Sequence, residues 1–163
     1  MPSFLNVSAL SNIPVPDLSP KFGKPIATVS ALLISGDEED HGFLDQVFFQ
    51  RRWMLFSAQS VEGALSFLRQ NPTPVVICER DVPGGGWKEI LSAVQHLARP
   101  PLLIVTSRRA DDHLWAEVLN LGGHDVLAKP FRTTELVWAL ENAWRRFGYA
   151  LGAKAMSAYA AGF

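Results

Sequence analysis

The chain has a single cysteine, Cys78, among its 163 residues, and almost no net charge, with 15 Lys and Arg against 16 Asp and Glu. One cysteine excludes an internal disulfide, and its place inside an apolar run makes it a small core hydrophobe. A reducing cytoplasm is the expected setting. Balanced charge leaves no basic surface for a polyanion, so nucleic acid is not an expected partner. No apolar run is long enough to span a bilayer, so no membrane partner is expected. The start, "MPSFLNVSALSNIPVP", lacks a basic segment leading into an apolar block, so no secretory signal is expected. Histidine is scarce: His41, His96, His113 and His124 share no metal-ligand spacing with the cysteine. No Ser/His/Asp or Cys/His set stands out, so no catalytic residue is assigned and an enzyme is not expected. Gly84 to Gly86 are followed by Trp87, Lys88 and Glu89, not by the Gly-Lys-Ser/Thr of a phosphate-binding loop, so the glycines form a turn.

Nearly half of the residues, 48%, are hydrophobic, enough for one domain with a sizeable core. Residues 1–27 are rich in Pro, Ser and Asn and read as an irregular arm. From there to residue 147, strand and helix patterns alternate five times. "TVSALLIS", "WMLFSA", "PVVICE", "PPLLIVTS" and "HDVLAK" are the strands. Between them, Phe43, Leu44, Val47 and Phe48 recur at helical spacing, and Ser60 precedes "VEGALSFLRQ" as an N-cap. Leu114, Val118 and Leu121 mark the core face of the fourth helix, which Gly122 closes. Leu136, Leu140, Ala143 and Phe147 mark that of the fifth. Residues 148–163 are an alanine-rich tail or an extension of the last helix.

Continuous apolar strands alternating with helices predict a parallel sheet covered on both faces. The fold class is therefore α/β, a doubly wound five-stranded sheet of flavodoxin-like order 2-1-3-4-5. Sites on such sheets lie at the carboxyl ends of the strands. Here those ends are Ser35–Gly36–Asp37, Glu79, Thr106–Ser107 and Lys129.

Three blocks in order carry a resemblance to a known family: "ERDVPGGG", "LLIVTS" and "GGHDVLAKPF". The chain from about Ala31 to Phe147 resembles the receiver domain of bacterial two-component response regulators. The resemblance implies an acidic pair after the first strand that holds Mg²⁺, and an aspartate after the third that takes a phosphoryl group. It also implies a Thr/Ser and a Lys that bind the phosphoryl oxygens, and an aromatic reporter. Carried over, the acidic-pair positions are Ser35 and Gly36, and the phosphoacceptor position is Glu79. The phosphoryl-site positions are Thr106 and Lys129, and the aromatic switch position is Val126. The hydroxyl and the lysine are kept; the acidic pair, the acceptor and the reporter are changed.

Glycine offers no side-chain oxygen and serine a neutral one, so no Mg²⁺ site and no cofactor are expected. Asp37 and Glu38 lie just beyond and could supply replacement oxygens. An Asp-Glu-Glu-Asp run before a helix is otherwise a favourable charge at its N-terminus. Glu79 has two readings: a stand-in for the phosphoryl charge that pairs with Lys129, or a polar residue at a strand end. Asp81, past the turn, is expected to cap or solvate it.

Five tryptophans are many for this length. Trp115 lies to the side of the fourth helix's core face and Trp138 on the outward side of the fifth. Either could anchor an interface; core packing, or cover by the arm, is the alternative. The expected function is an atypical receiver-like signalling protein that docks on another signalling protein or on itself, independently of phosphorylation. Two alternatives stand: a phosphorylatable single-domain regulator, and a flavodoxin-like small-ligand binder.

Overall fold

The five apolar runs become five parallel strands. The structure, a computed structural model, describes residues 28–160, with side chains described for residues 28–150. The main elements are β1 (Ser30–Ile34), α1 (Glu38–Arg51), β2 (Met54–Ala58), α2 (Val61–Gln70), β3 (Val75–Glu79), α3 (Trp87–Val94), β4 (Leu102–Ser107), α4 (Asp112–Leu121), β5 (Asp125–Ala128) and α5 (Thr133–Ala160). The order across the sheet is β2-β1-β3-β4-β5, parallel throughout. This is the expected 2-1-3-4-5 order. The central strands are buried along nearly their whole length because helices cover both faces.

Side chains in a strand alternate between faces, and they sort here into two apolar layers. Leu32, Ile34, Val76, Cys78, Leu103, Val105 and Val126 pack with residues of α2, α3 and α4. Ala31, Leu33, Val75, Ile77, Ile104 and Leu127 pack with Leu44, Val47 and Phe48 of α1 and with Leu136, Leu140 and Ala143 of α5. Full burial of one such aliphatic side chain contributes about 1.5–3 kcal/mol.

Local chemistry fixes the helix starts. The side chains of Asp37, Ser60 and Asp111 accept hydrogen bonds from the backbone N–H groups of Glu39, Gly63 and Leu114. Gly122 closes α4 in the left-handed conformation, with φ 106°, as expected. Between β3 and α3 the turn includes a two-residue antiparallel pairing of Asp81–Val82 with Gly85–Gly86. A Cβ at Gly86 would lie 2.6 Å from the Arg80 carbonyl oxygen, so this close approach requires glycine.

One expected core residue is misplaced. Leu121 is 48% exposed, although its spacing matches Leu114 and Val118. It is the last residue of α4, and the Gly122–Gly123 turn carries the chain away before a further turn could cover it. The backbone of α5 continues as one helix past residue 148 to Ala160. The arm, residues 1–27, lies outside the described residues.

Candidate functional site

Strand parity places the chemistry. Leu33, Ile77, Ile104 and Leu127 all face α1 and α5. Two positions on, Ser35, Glu79, Thr106 and Lys129 therefore project to that same side, at the carboxyl edge. The ladders run on to these residues: the Ser35 N–H donates to the Ala58 carbonyl at 3.1 Å, and the Lys129 N–H to the Ser107 carbonyl at 2.9 Å. Glu79 and Thr106 lie directly opposite each other in the β3–β4 register.

Helix α1 lowers a further carboxylate onto this edge. Asp40 is followed at i+4 and i+7 by the core residues Leu44 and Val47, so it shares their inward face. It is buried, at 4% exposure. Lys129 Nζ donates to Asp40 Oδ2 and to Glu79 Oε1, each at 2.8 Å, and lies 3.8 Å from Asp37 Oδ2. The Ser35 hydroxyl lies 2.7 Å from Asp40 Oδ2 and 3.1 Å from Glu79 Oε2, and accepts from the Asp37 N–H at 3.0 Å. A hydroxyl has one proton, so it donates to one of the two carboxylates at a time, with Asp40 the nearer. His41 Nε2 meets the Ser35 carbonyl at 2.7 Å and pins the start of α1 to the end of β1.

Burial alone would lower the pKa of the Lys129 ammonium. Its hydrogen bonds to Asp40 and Glu79, and their charges, outweigh that and raise it above the ordinary lysine value. Asp37 is held below its ordinary value chiefly by the Glu39 N–H; burial opposes this, and Lys129 and Arg108 add to it. Arg108 Nη2 reaches Asp37 Oδ2 at 3.3 Å from the solvent side. Cys78, on the opposite face, is pushed up to about 12 by burial and then by the charges of Glu79 and Glu89. The thiol is therefore inert at neutral pH.

No protein-family model matches the chain. The response regulator GtcR of Aneurinibacillus migulanus is 26% identical over 117 residues, a match that covers 71% of this chain and 48% of that protein. The chain thus spans about half the length of this curated relative. The carboxyl-edge site falls on a fold seen repeatedly. The signal receiver domain of an HD domain-containing protein from Pseudomonas fluorescens superposes with a TM-score of 0.70 at 22% identity, covering 80% of this chain and 98% of that one. The beryllofluoride-activated NtrC4 receiver domain dimer gives 0.67 at 14% identity, covering 72% and 97%. This chain has the fold of a response-regulator receiver domain.

The site residues that the receiver resemblance implies converge in part. Ser35, Glu79 and Lys129 are joined by hydrogen bonds. Thr106 is fully buried on the same side, and its Oγ1 has no hydrogen-bond partner among the described residues. Gly36 lies under Pro83: a Cβ there would sit 3.3 Å from Pro83 Cδ, so a larger side chain would press on the turn after β3. Val126 is buried on the other face, within the layer of α2 to α4. Trp115 and Trp138 are 42% and 62% exposed. Asp81 is exposed at the turn and pairs only loosely with Arg80, at 3.9 Å.

One expectation needs correction. The Asp-Glu-Glu-Asp run reads as charge at a helix N-terminus, which leaves Glu79 to pair with Lys129. Asp37 does cap the helix, and Glu38 is exposed and meets Gln59. Asp40 instead turns inward and shares Lys129 equally with Glu79. The signal was its helical spacing to Leu44 and Val47.

A receiver implies Mg²⁺ at this edge. Ligand oxygens of Asp37, Asp40 and Glu79 lie within 4.8 Å of one another. The Lys129 ammonium, however, sits against the same three carboxylates. Mg²⁺ needs near-octahedral oxygen ligands at about 2.0–2.1 Å. With Lys129 in place, this donor set does not fit the ion.

Proposed function

We propose that this receiver domain signals by docking on another protein or on a second copy, in a state set by the Lys129–Asp40–Glu79 contact and not by phosphorylation. The observation that carries the reading is the double hydrogen bond of buried Lys129, 2.8 Å to each carboxylate. Glu79 is one methylene longer than aspartate and spans the gap to the lysine. It supplies a charge of about −1, where a phosphoryl group supplies roughly −1.5 to −2. A half-buried carboxylate is tolerated here because its partners are already in place. No side chain is assigned a catalytic role, and a cytoplasmic setting fits the single buried cysteine. Among the described residues, no helix is long and apolar enough to cross a membrane.

The docking surface we assign is the side of β5 and α5. A groove of about 420 Å³ there is lined by Val126, Leu127, Ala139 and exposed Trp138, with Asp125 and Glu135 beside them. A large exposed aromatic beside an apolar groove is the kind of anchor that interfaces use. The NtrC4 receiver was solved as a dimer, so self-association is one form the docking can take.

A second reading, a phosphorylatable receiver, draws support from the unpartnered Thr106 hydroxyl, which is free to meet an added oxygen. Incubation with acetyl phosphate and Mg²⁺, followed by intact-mass measurement, separates the two. The docking reading expects the unmodified mass. A stoichiometric phosphoryl adduct mapped to Glu79 would establish the second reading.

A further inference from the structure

We infer that the groove along α2 and α3 is a further docking site, one that takes an extended acidic segment of a partner protein with an apolar side chain among its carboxylates. It lies on the opposite face of the sheet from the Lys129 cluster and apart from the Trp138 groove. It therefore goes beyond the reading above and does not rest on it.

Two hollows make the groove. At the amino-terminal edge of the sheet, a cavity of about 230 Å³ is lined by Leu68, Pro72, Leu97 and Pro101, with Arg69 and Arg99 beside them. A second hollow, of about 560 Å³, continues along α2 past Leu65 to Val61 and Pro83. Arg69 lines both, so they form one run beside the helix. A run of this length suits an extended chain better than a single small anion.

Charge sets the sign of the partner. Arg51, Arg80, Arg108 and Arg132 each have a carboxylate within ion-pair reach. Arg69 and Arg99 have none among the described residues, and no carboxylate lines the cavity they share. The end of α2 alone would favour a cation at Arg69, which stands in its last turn. That effect falls off within one turn, and Arg99 stands beyond the end of α3, in the turn before β4. Two guanidiniums at one apolar hollow offer forked donors to carboxylates, and the hollow receives the apolar side chain between them. Glu62, the one acid lining the second hollow, repels carboxylates there. The acidic part of the segment therefore belongs at the Arg69–Arg99 end.

The test titrates the full chain with a fluorescein-labelled Glu-Glu-Leu-Glu-Glu peptide at low ionic strength and reads fluorescence anisotropy. Saturable binding is expected. Arg69→Gln and Arg99→Gln should each weaken it about tenfold. Replacing the peptide's leucine by serine should weaken it by about tenfold as well. Arg146→Gln, an equal change of charge away from the groove, should leave it unchanged. All three arginines are exposed, so their variants keep the fold. Absence of saturable binding, an equal loss with Arg146→Gln, or indifference to the leucine overturns the inference. Two other occupants are tested on the same protein. Asp17 is the only carboxylate in residues 1–27, so tighter peptide binding by Asp17→Asn would make the arm the occupant. Self-association in sedimentation that Arg99→Gln abolishes would make it a second copy. Either result overturns the assignment to a partner protein.

Discussion

The two faces of the sheet are built alike until the last residue of each strand. On the side of α2, α3 and α4, the apolar rows of Ile34, Cys78, Val105 and Val126 reach to within two residues of the edge, where Ser107 and Ala128 end their strands and no carboxylate stands. On the side of α1 and α5, the apolar rows of Leu33, Ile77, Ile104 and Leu127 are each followed by a polar residue: Ser35, Glu79, Thr106 and Lys129. A period of two therefore sends Ser35, Glu79, Thr106 and Lys129 together to one face. One face thus closes on small residues, while the other adds a charged cap whose stability depends on its partners. Asp40 completes that cap from the helix above.

Substitutions at matched depth can break or sharpen this contrast. The largest effect is expected at the charged cap. Lys129→Met leaves buried Asp40 without its cation beside half-buried Glu79 and should lower the stability measured by urea unfolding in EDTA by about 3 kcal/mol. Leu103→Ala, at 1% exposure on the apolar face, should cost about 2–4 kcal/mol through its cavity. A smaller cost for Lys129→Met than for an exposed substitution would mean that the cap contributes nothing.

Alkaline pH separates the two faces further. The folded-state pKa of Lys129 is raised above its ordinary 10.5, so its stabilisation is full below that value and is lost as pH rises through the folded pKa. Between neutral pH and that range, the gap in unfolding midpoint between wild type and Lys129→Met should stay constant, and above it the gap should narrow. The gap for Leu103→Ala should not change. The smallest stability effect belongs to the exposed surface. Trp138→Ala should stay within about 0.5 kcal/mol of wild type, yet weaken association seen by sedimentation or by partner titration. A loss of several kcal/mol would make Trp138 a core residue.

The frame of this receiver-like fold was legible because its signals are local and repeated. Apolar β-branched runs gave the strands, Ser60 a helix start and Gly122 a helix end. Lys129 and Glu79 could be paired because both end strands on one sheet edge. Asp40 was harder to read, because a carboxylate in the first turn of a helix is ordinarily a solvated charge that favours the macrodipole. Only its phase with Leu44 and Val47 marks it as inward. The exposure of Leu121 was hidden for the opposite reason: the spacing was right, but the helix stops there. The sequence shows no ligand spacing for His41 and nothing of its contact with the Ser35 carbonyl, which depends on where α1 meets β1, a tertiary fact with no local signal.

The central claim is that an internal ammonium, and not a metal or a phosphoryl group, neutralises the carboxyl edge. A crystal structure determined in the presence of Mg²⁺ and beryllofluoride tests it most directly. The account predicts Lys129 Nζ still within hydrogen-bonding distance of both Asp40 and Glu79, with no ion among the three carboxylates. Mg²⁺ bound to Asp37, Asp40 and Glu79, with Lys129 swung away to meet beryllofluoride on Glu79, would contradict it.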